Sequence, residues 1–109
     1  MKEYRYSNMA IKRLLSADHE VVAIGNRSGE VADVPIDTDK PVLRDIDTVT
    51  LYLNPQRQVA YYDYIISLQP KRVIFNPGTE NNELVSLLKE HNIESQFACT
   101  LVLLATDQY

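Results

Sequence analysis

The chain has 109 residues, 45% hydrophobic and 24% charged, with no Trp, which is material for one core and excludes two, so 1–109 is expected to form a single domain. Lys plus Arg is 11 against 15 Asp plus Glu, a formal net charge of -4, which excludes a global field that would draw the chain to nucleic acid or an anionic membrane. The single cysteine, Cys99, bars an internal disulfide or a cysteine metal cluster, and no apolar run is long enough for a bilayer span or a signal peptide, so a cytoplasmic protein is expected.

Ala10, Ile11, Leu14 and Leu15 fall at helical spacing and predict a helix over 7–17, with Ser7 as N-cap and Lys12 and Arg13 outward. Asp18 stands where a left-handed residue ends helices. The run EVVAIG that follows is too short for a helix and reads as a buried parallel strand ending at Gly25. From Asn26 to Arg44 the sequence reads as a loop with at most a short edge strand around 34–37, because Pro35 and Pro41 forbid a long central one. TVTLYL predicts the next strand, after which Asn54 caps a helix with Pro55 at its first position. Val59, Tyr62, Ile65 and Ile66 form the buried face of that helix, and Pro70 ends it.

RVIFN predicts a further strand and the turn Asn76-Pro77-Gly78-Thr79 follows it. A helix then carries Leu84, Leu87 and Leu88 on one face and ends near Asn92. SQFACT reads as the final strand, leading into LVLLA. The alternation of helices and strands implies an α/β fold, a Rossmann-like parallel sheet with right-handed crossovers and helices on both faces.

Both central strands close on Asn-Pro, which puts polar turns at the carboxyl end of the sheet, where open α/β sheets bind ligands. Gly78, Thr79 and the first N–H groups of the next helix suit phosphate or amide contacts, or serve as an ordinary capped turn. Arg27, in Gly25-Asn26-Arg27-Ser28-Gly29, lies where dinucleotide folds select between plain and phosphorylated ribose, and a guanidinium favours the phosphate. Its bland alternative is a solvated loop arginine. His19 and His91 follow helix ends and favour the helix dipoles rather than catalysis. Cys99, in an apolar strand without a neighbouring base, reads as a buried structural thiol. Asp37 with Asp39, and Glu80 with Glu83, occupy a loop and a helix opening, so neither pair indicates acid/base work. Tyr62 is expected in the core, and Tyr61 or Tyr64 is available to a self-association surface. No catalytic residue and no metal ligand set is identified.

The segments EVVAIGNRSGEV, DTVTLYLNP, YYDYIISLQPKRVIFNPGTEN and ACTLVLLATDQY resemble the small bacterial CoA-binding proteins of the YccU type, which are similar to the CoA-binding domain of the succinyl-CoA ligase α subunit. The resemblance runs from about Tyr6 onward. It implies coenzyme A as cofactor, held along the carboxyl edge of the sheet, with Gly25, Asn26 and Arg27 toward the adenosine phosphate and Asn54, Pro55, Asn76, Pro77, Gly78, Thr79 and Glu80 lining the remainder. The ligase works through a phosphohistidine outside this domain, and neither histidine here has a matching context, so that chemistry does not carry over.

Such proteins usually begin with a central strand and a Gly-Ala-Ser type phosphate loop, whereas here only MKEYRY precedes Ser7. The sheet is therefore expected to lack its usual first strand. The gap closes if the flanking strands pair directly, if MKEYRY substitutes, or if a homo-oligomer supplies a strand. The first reading is a domain that binds CoA or an acyl-CoA, a small-molecule ligand, without catalysis. Its alternatives are an oligomeric interaction protein with a vestigial nucleotide site and an enzyme acting on an acyl-CoA or nucleotide.

Overall fold

The computed structural model describes residues 2–25 and 29–109, the side chains of residues 2–5 excepted. They group into two units, one running to Pro41 and including Leu101–Tyr109, the other Val42–Thr100. Each unit contains one three-stranded sheet.

In the first unit α1 (Lys2–Ser16) begins earlier than expected. Nothing between Lys2 and Tyr6 breaks a helix, so Ser7 lies inside α1 instead of capping it, and residues 2–6 supply no strand. Ala10 and Leu14 are buried and Ile11 and Leu15 half-buried, as their spacing requires. Asp18 closes the helix at φ 65°, its N–H donating to Leu15 O and that of His19 to Leu14 O, both at 3.0 Å. The expected strand EVVAIG shortens to β1 (Ala23–Ile24), which is half-buried because it lies at the edge of its sheet.

β2 (Gly29–Val31) and β3 (Val34–Asp37) form a hairpin whose two turn residues, Ala32 and Asp33, have φ of 50° and 67°. Positive φ at both positions matches the right-handed twist of the flanking strands. β3 is the short strand expected there, but it takes the centre of the order β1-β3-β2, parallel to β1 and antiparallel to β2. Pro35 is tolerated in that place for two reasons. It stands opposite Glu30, one step from the closing pair Val31 and Val34, where antiparallel strands exchange no hydrogen bond, and β1 pairs only with Ile36 and Asp37.

The second unit is the parallel sheet of a Rossmann-like α/β fold, in the order β4 (Thr48–Leu51), β5 (Arg72–Phe75), β6 (Glu94–Phe97). The register places Leu51 beside Phe75 and Phe75 beside Phe97, so the three strands end together. Alternation sends Val73 and Phe75 to one face, where Leu51, Ile65, Leu84, Leu88 and Ile93 complete the core. Both crossovers, α2 (Pro55–Gln58) with α3 (Tyr62–Leu68) and α4 (Asn82–Glu90), pack on that face. The opposite face carries Thr48, Thr50, Arg72 and Gln96. Arg72 bridges its neighbours there, Nε donating to Thr48 Oγ1 at 3.0 Å and a terminal nitrogen to Gln96 Oε1 at 3.1 Å.

The helix expected after Pro55 is interrupted by a 3-10 turn, Val59–Tyr61. Its inward stripe runs through buried Gln58 and Ile65 with half-buried Tyr62 between them, which turns Val59 outward at 57% exposure, against the expectation that it is core. Gln69 ends α3 at φ 48° ahead of Pro70, and Asn92 ends α4 at φ 59° with Ile93 N donating to Leu88 O at 2.9 Å.

β6 extends only as far as its partner β5, and the chain then turns into α5 (Thr100–Ala105). LVLLA is therefore helical. Cys99 is half-buried between β6 and α5 and does not lie within a strand.

Candidate functional site

Asn54 caps α2 in extended geometry (φ -67°, ψ 162°), its Oδ1 accepting from Arg57 N at 3.0 Å, with Pro55 at the first helical position. Proline fits there because the first helical N–H has no acceptor to lose. The first turn is thus built as its sequence implies.

The second turn is built differently. Asn76 is 2% exposed, and its side chain is a strut rather than a cap. Its Nδ2 donates to Thr50 Oγ1 at 2.7 Å and to Leu51 O at 2.8 Å, and its Oδ1 accepts from Thr100 N at 2.8 Å. One carboxamide therefore ties the end of β5 to β4 and to the start of α5. Thr50 and Thr100 share a further hydrogen bond at 2.6 Å. Thr79, also buried, folds back on Asn76 O through its hydroxyl at 2.7 Å and its N–H at 3.0 Å. Gly78 has φ 92°, a conformation that side-chain-bearing residues rarely adopt, and its N–H donates to Glu80 Oε1 at 2.8 Å. Pro77, Gly78 and Glu80 are the exposed members of this turn.

A second buried carboxamide joins the two turns. Gln58 is 0% exposed, and its Nε2 donates at 2.8 Å both to Leu53 O, immediately before Asn54, and to Thr79 O. Its Oε1 accepts from Asn81 Nδ2 at 3.0 Å. Asn81 caps α4 through Oδ1, at 3.2 Å from Leu84 N, and also donates to Tyr62 Oη at 2.8 Å. A buried amide costs free energy unless it is paired, and here both donor hydrogens of Gln58 are used.

The charges at this edge are few. Arg57 lies in α2, and Glu80 and Glu83 lie before and within the first turn of α4. Lys71 and Arg72 stand at the opposite end of the sheet, where Lys71 Nζ is 3.5 Å from Asp47 Oδ2 with both side chains well exposed. A hydrogen bond from Thr48 holds the Asp47 carboxyl below its ordinary range, against a small opposing effect of burial and with help from Lys71.

Burial pushes the Tyr62 phenol above its ordinary 10.0, and Glu83 adds to the shift while the Asn81 hydrogen bond opposes it. A raised value means that the fold favours the neutral phenol. The stability this contributes is complete below the ordinary value and is lost as pH rises through the raised one. Urea unfolding across the alkaline range should show this: Tyr62→Phe is expected to flatten part of the decline of the unsubstituted protein, and parallel curves would deny Tyr62 the effect.

Of the residues the sequence points to, Asn54, Pro55, Asn76, Pro77, Gly78, Thr79 and Glu80 are brought together in the second unit. Gly25 belongs to the first unit, its N–H donating to Asp37 O at 2.9 Å. Asn26 and Arg27 lie outside the described residues. His91 caps α4, its Nδ1 2.9 Å from Leu87 O, and the His19 ring meets that of Tyr109 at 5.0 Å. No group of metal-ligating side chains occurs among the described residues. Sequence reasoning missed Thr50, Gln58, Asn81 and Thr100. Gln58 did leave a signal, a polar residue at the position of an otherwise apolar stripe, and Asn81 has the residue type of a cap ahead of an apolar helix.

A family model described as a CoA binding domain matches residues 1–105. A crystal structure of an uncharacterized protein is 50% identical, with TM-score 0.94, covering 97% of this chain and 88% of that one. Two more distant structures share the fold. One from Thermus thermophilus is 16% identical at TM-score 0.82, covering 100% of this chain and 84% of its own. A conserved hypothetical protein from Pyrococcus furiosus is 22% identical at TM-score 0.72, covering 84% and 80%. No curated protein matches the chain. Among the described residues no helix is long and apolar enough to cross a membrane.

Proposed function

Because the chain belongs to the CoA-binding domain family, we propose that 1–109 acts as one domain that binds coenzyme A or an acyl-CoA at the carboxyl edge of its parallel sheet and performs no chemistry on it. The observation that carries this reading is the pair of Asn-Pro turns held side by side at that edge. Strands that end together leave a ledge there, and the ledge exposes Pro77, Gly78 and Glu80 beside the cap formed by Asn54 and Pro55. Ligands of open parallel sheets lie on such ledges. Asn76 and Thr79 serve from beneath, their polar groups committed to the turn itself.

For the nucleotide end the support is the sequence. Gly25, Asn26 and Arg27 follow the first strand, and a guanidinium at that point matches the extra phosphate that distinguishes CoA from its dephospho form. A cytoplasmic location accords with a single free cysteine.

Calorimetric titration with CoA, dephospho-CoA and NAD tests the reading. CoA is expected to bind most tightly, and Arg27→Ala is expected to weaken CoA about tenfold, the usual worth of a charge-assisted phosphate contact, while changing dephospho-CoA little. Absence of CoA binding would sink the reading, and an equal loss for both ligands would remove Arg27 from its assigned role. Release of free thiol from a panel of acyl-CoA substrates would show chemistry where none is proposed.

A further inference from the structure

We infer that Gln58 is a positioning residue for the CoA site, a side chain bonded to both of its loops that sets the spacing between them; this rests on the reading above. Its Nε2 lies 2.8 Å from Leu53 O and 2.8 Å from Thr79 O, so these two carbonyls are held within twice that distance of each other. Leu53 precedes Asn54, and Thr79 lies between Gly78 and Glu80, so one amide nitrogen joins the two loops directly beside their exposed groups, beyond the point where the strands end.

The rest of its environment fixes that nitrogen. Gln58 is the last residue of α2, where the helix gives way to the 3-10 turn, and its side chain is fully buried. Asn81 Nδ2 donates to Oε1, which orients the carboxamide with Nε2 toward the two carbonyls, and Asn81 is itself held by Leu84 N and Tyr62 Oη. An apolar residue at this point in the stripe through Tyr62 and Ile65 would satisfy packing but not the carbonyls. Fully paired buried networks specify geometry in this way, and a ligand spanning both loops then finds them already spaced.

The test compares Gln58→Met, which nearly keeps the shape and removes the donors, with Ile93→Ala, a core substitution at the other end of the sheet adjusted to a similar urea midpoint. Gln58→Asn, too short to reach both carbonyls, serves if the methionine variant does not fold. Two readouts are taken, CoA affinity and hydrogen exchange of the Arg57 and Thr79 amides, which are bonded within the two loops. The Gln58 variant is expected to weaken CoA and to speed both amides by at least about tenfold, the worth of leaving buried carbonyls unpaired, with neither effect in the control. Equal effects in the two variants, or unchanged exchange in the Gln58 variant, would overturn the inference. Should the unsubstituted protein bind no CoA, the proposed function fails on its own and the exchange comparison still decides the role of Gln58.

Discussion

Asn76→Leu is expected to lower the stability of the protein by about 3–5 kcal/mol, among the largest losses available to a single polar substitution. Leucine keeps the branched outline of asparagine but is larger, so overpacking adds to the loss. What is lost is the set of hydrogen bonds to Thr50 Oγ1, Leu51 O and Thr100 N, in a position 2% exposed where water cannot replace them. Asn76→Asp is the informative control, since a carboxylate still accepts from Thr100 N but turns a charged oxygen toward Leu51 O. It is expected to cost at least as much as leucine near neutral pH. Urea denaturation followed by circular dichroism measures both. A loss below about 1 kcal/mol for leucine would mean that the strut is dispensable.

The residue before it provides the apolar counterpart. Phe75→Ala is expected to cost about 3–5 kcal/mol, as a lost transfer energy plus a cavity, because Phe75 is 1% exposed in the central strand among Leu51, Ile65 and Leu84. Phe75→Leu, nearer in volume, should cost about 1.5 kcal/mol or less. The ring of Phe97 meets Phe75 edge-on at 5.4 Å and 69°, yet Phe97 is 53% exposed, so removing it should cost no more than about 1 kcal/mol. If alanine at 75 and at 97 proved equally mild, the core would not be centred where β5 places it. The two adjacent residues hold the same edge by different means, Phe75 by burial against the helices and Asn76 by hydrogen bonds across the sheet.

The elements of the second unit were legible because their signals are local. Asn54-Pro55, Pro70 and the left-handed Asn92 mark boundaries through residues that few other conformations suit, and Val73, Ile74 and Phe75 of RVIF are buried as their composition implies, with Arg72 half-buried ahead of them. Ser7 misled because a good capping residue is also tolerated inside a helix, and only the helix-compatible residues before it decide which applies. Val59 misled for a different reason. A 3-10 turn shifts the helical phase by a fraction of a turn, and no apolar pattern records that shift. The strand EVVAIG was shortened by its position at the edge of a sheet, which depends on pairing partners distant in sequence.

The candidate site was half legible. The two Asn-Pro turns announce a polar edge, but the equal dipeptides hide unequal roles: Asn54 caps its own helix, whereas Asn76 reaches across the sheet. Nothing in the sequence distinguishes them, because the partners of Asn76 lie about 25 residues away on either side. Thr50 and Thr100 are similarly silent, being 50 residues apart. The family match then supplies what geometry alone does not, the ligand class that the proposed function takes up.

An amide-resolved nuclear magnetic resonance titration of the isotopically labelled protein with CoA locates the ligand on the sheet. Saturable shifts are expected to concentrate on the amides of Arg57, Gly78, Thr79 and Glu80, with the residues around Asp45, Asp47 and Lys71 at the opposite end of the sheet unmoved. Saturable shifts confined to that opposite end, or a spectrum that CoA leaves unchanged, would contradict binding at the carboxyl edge.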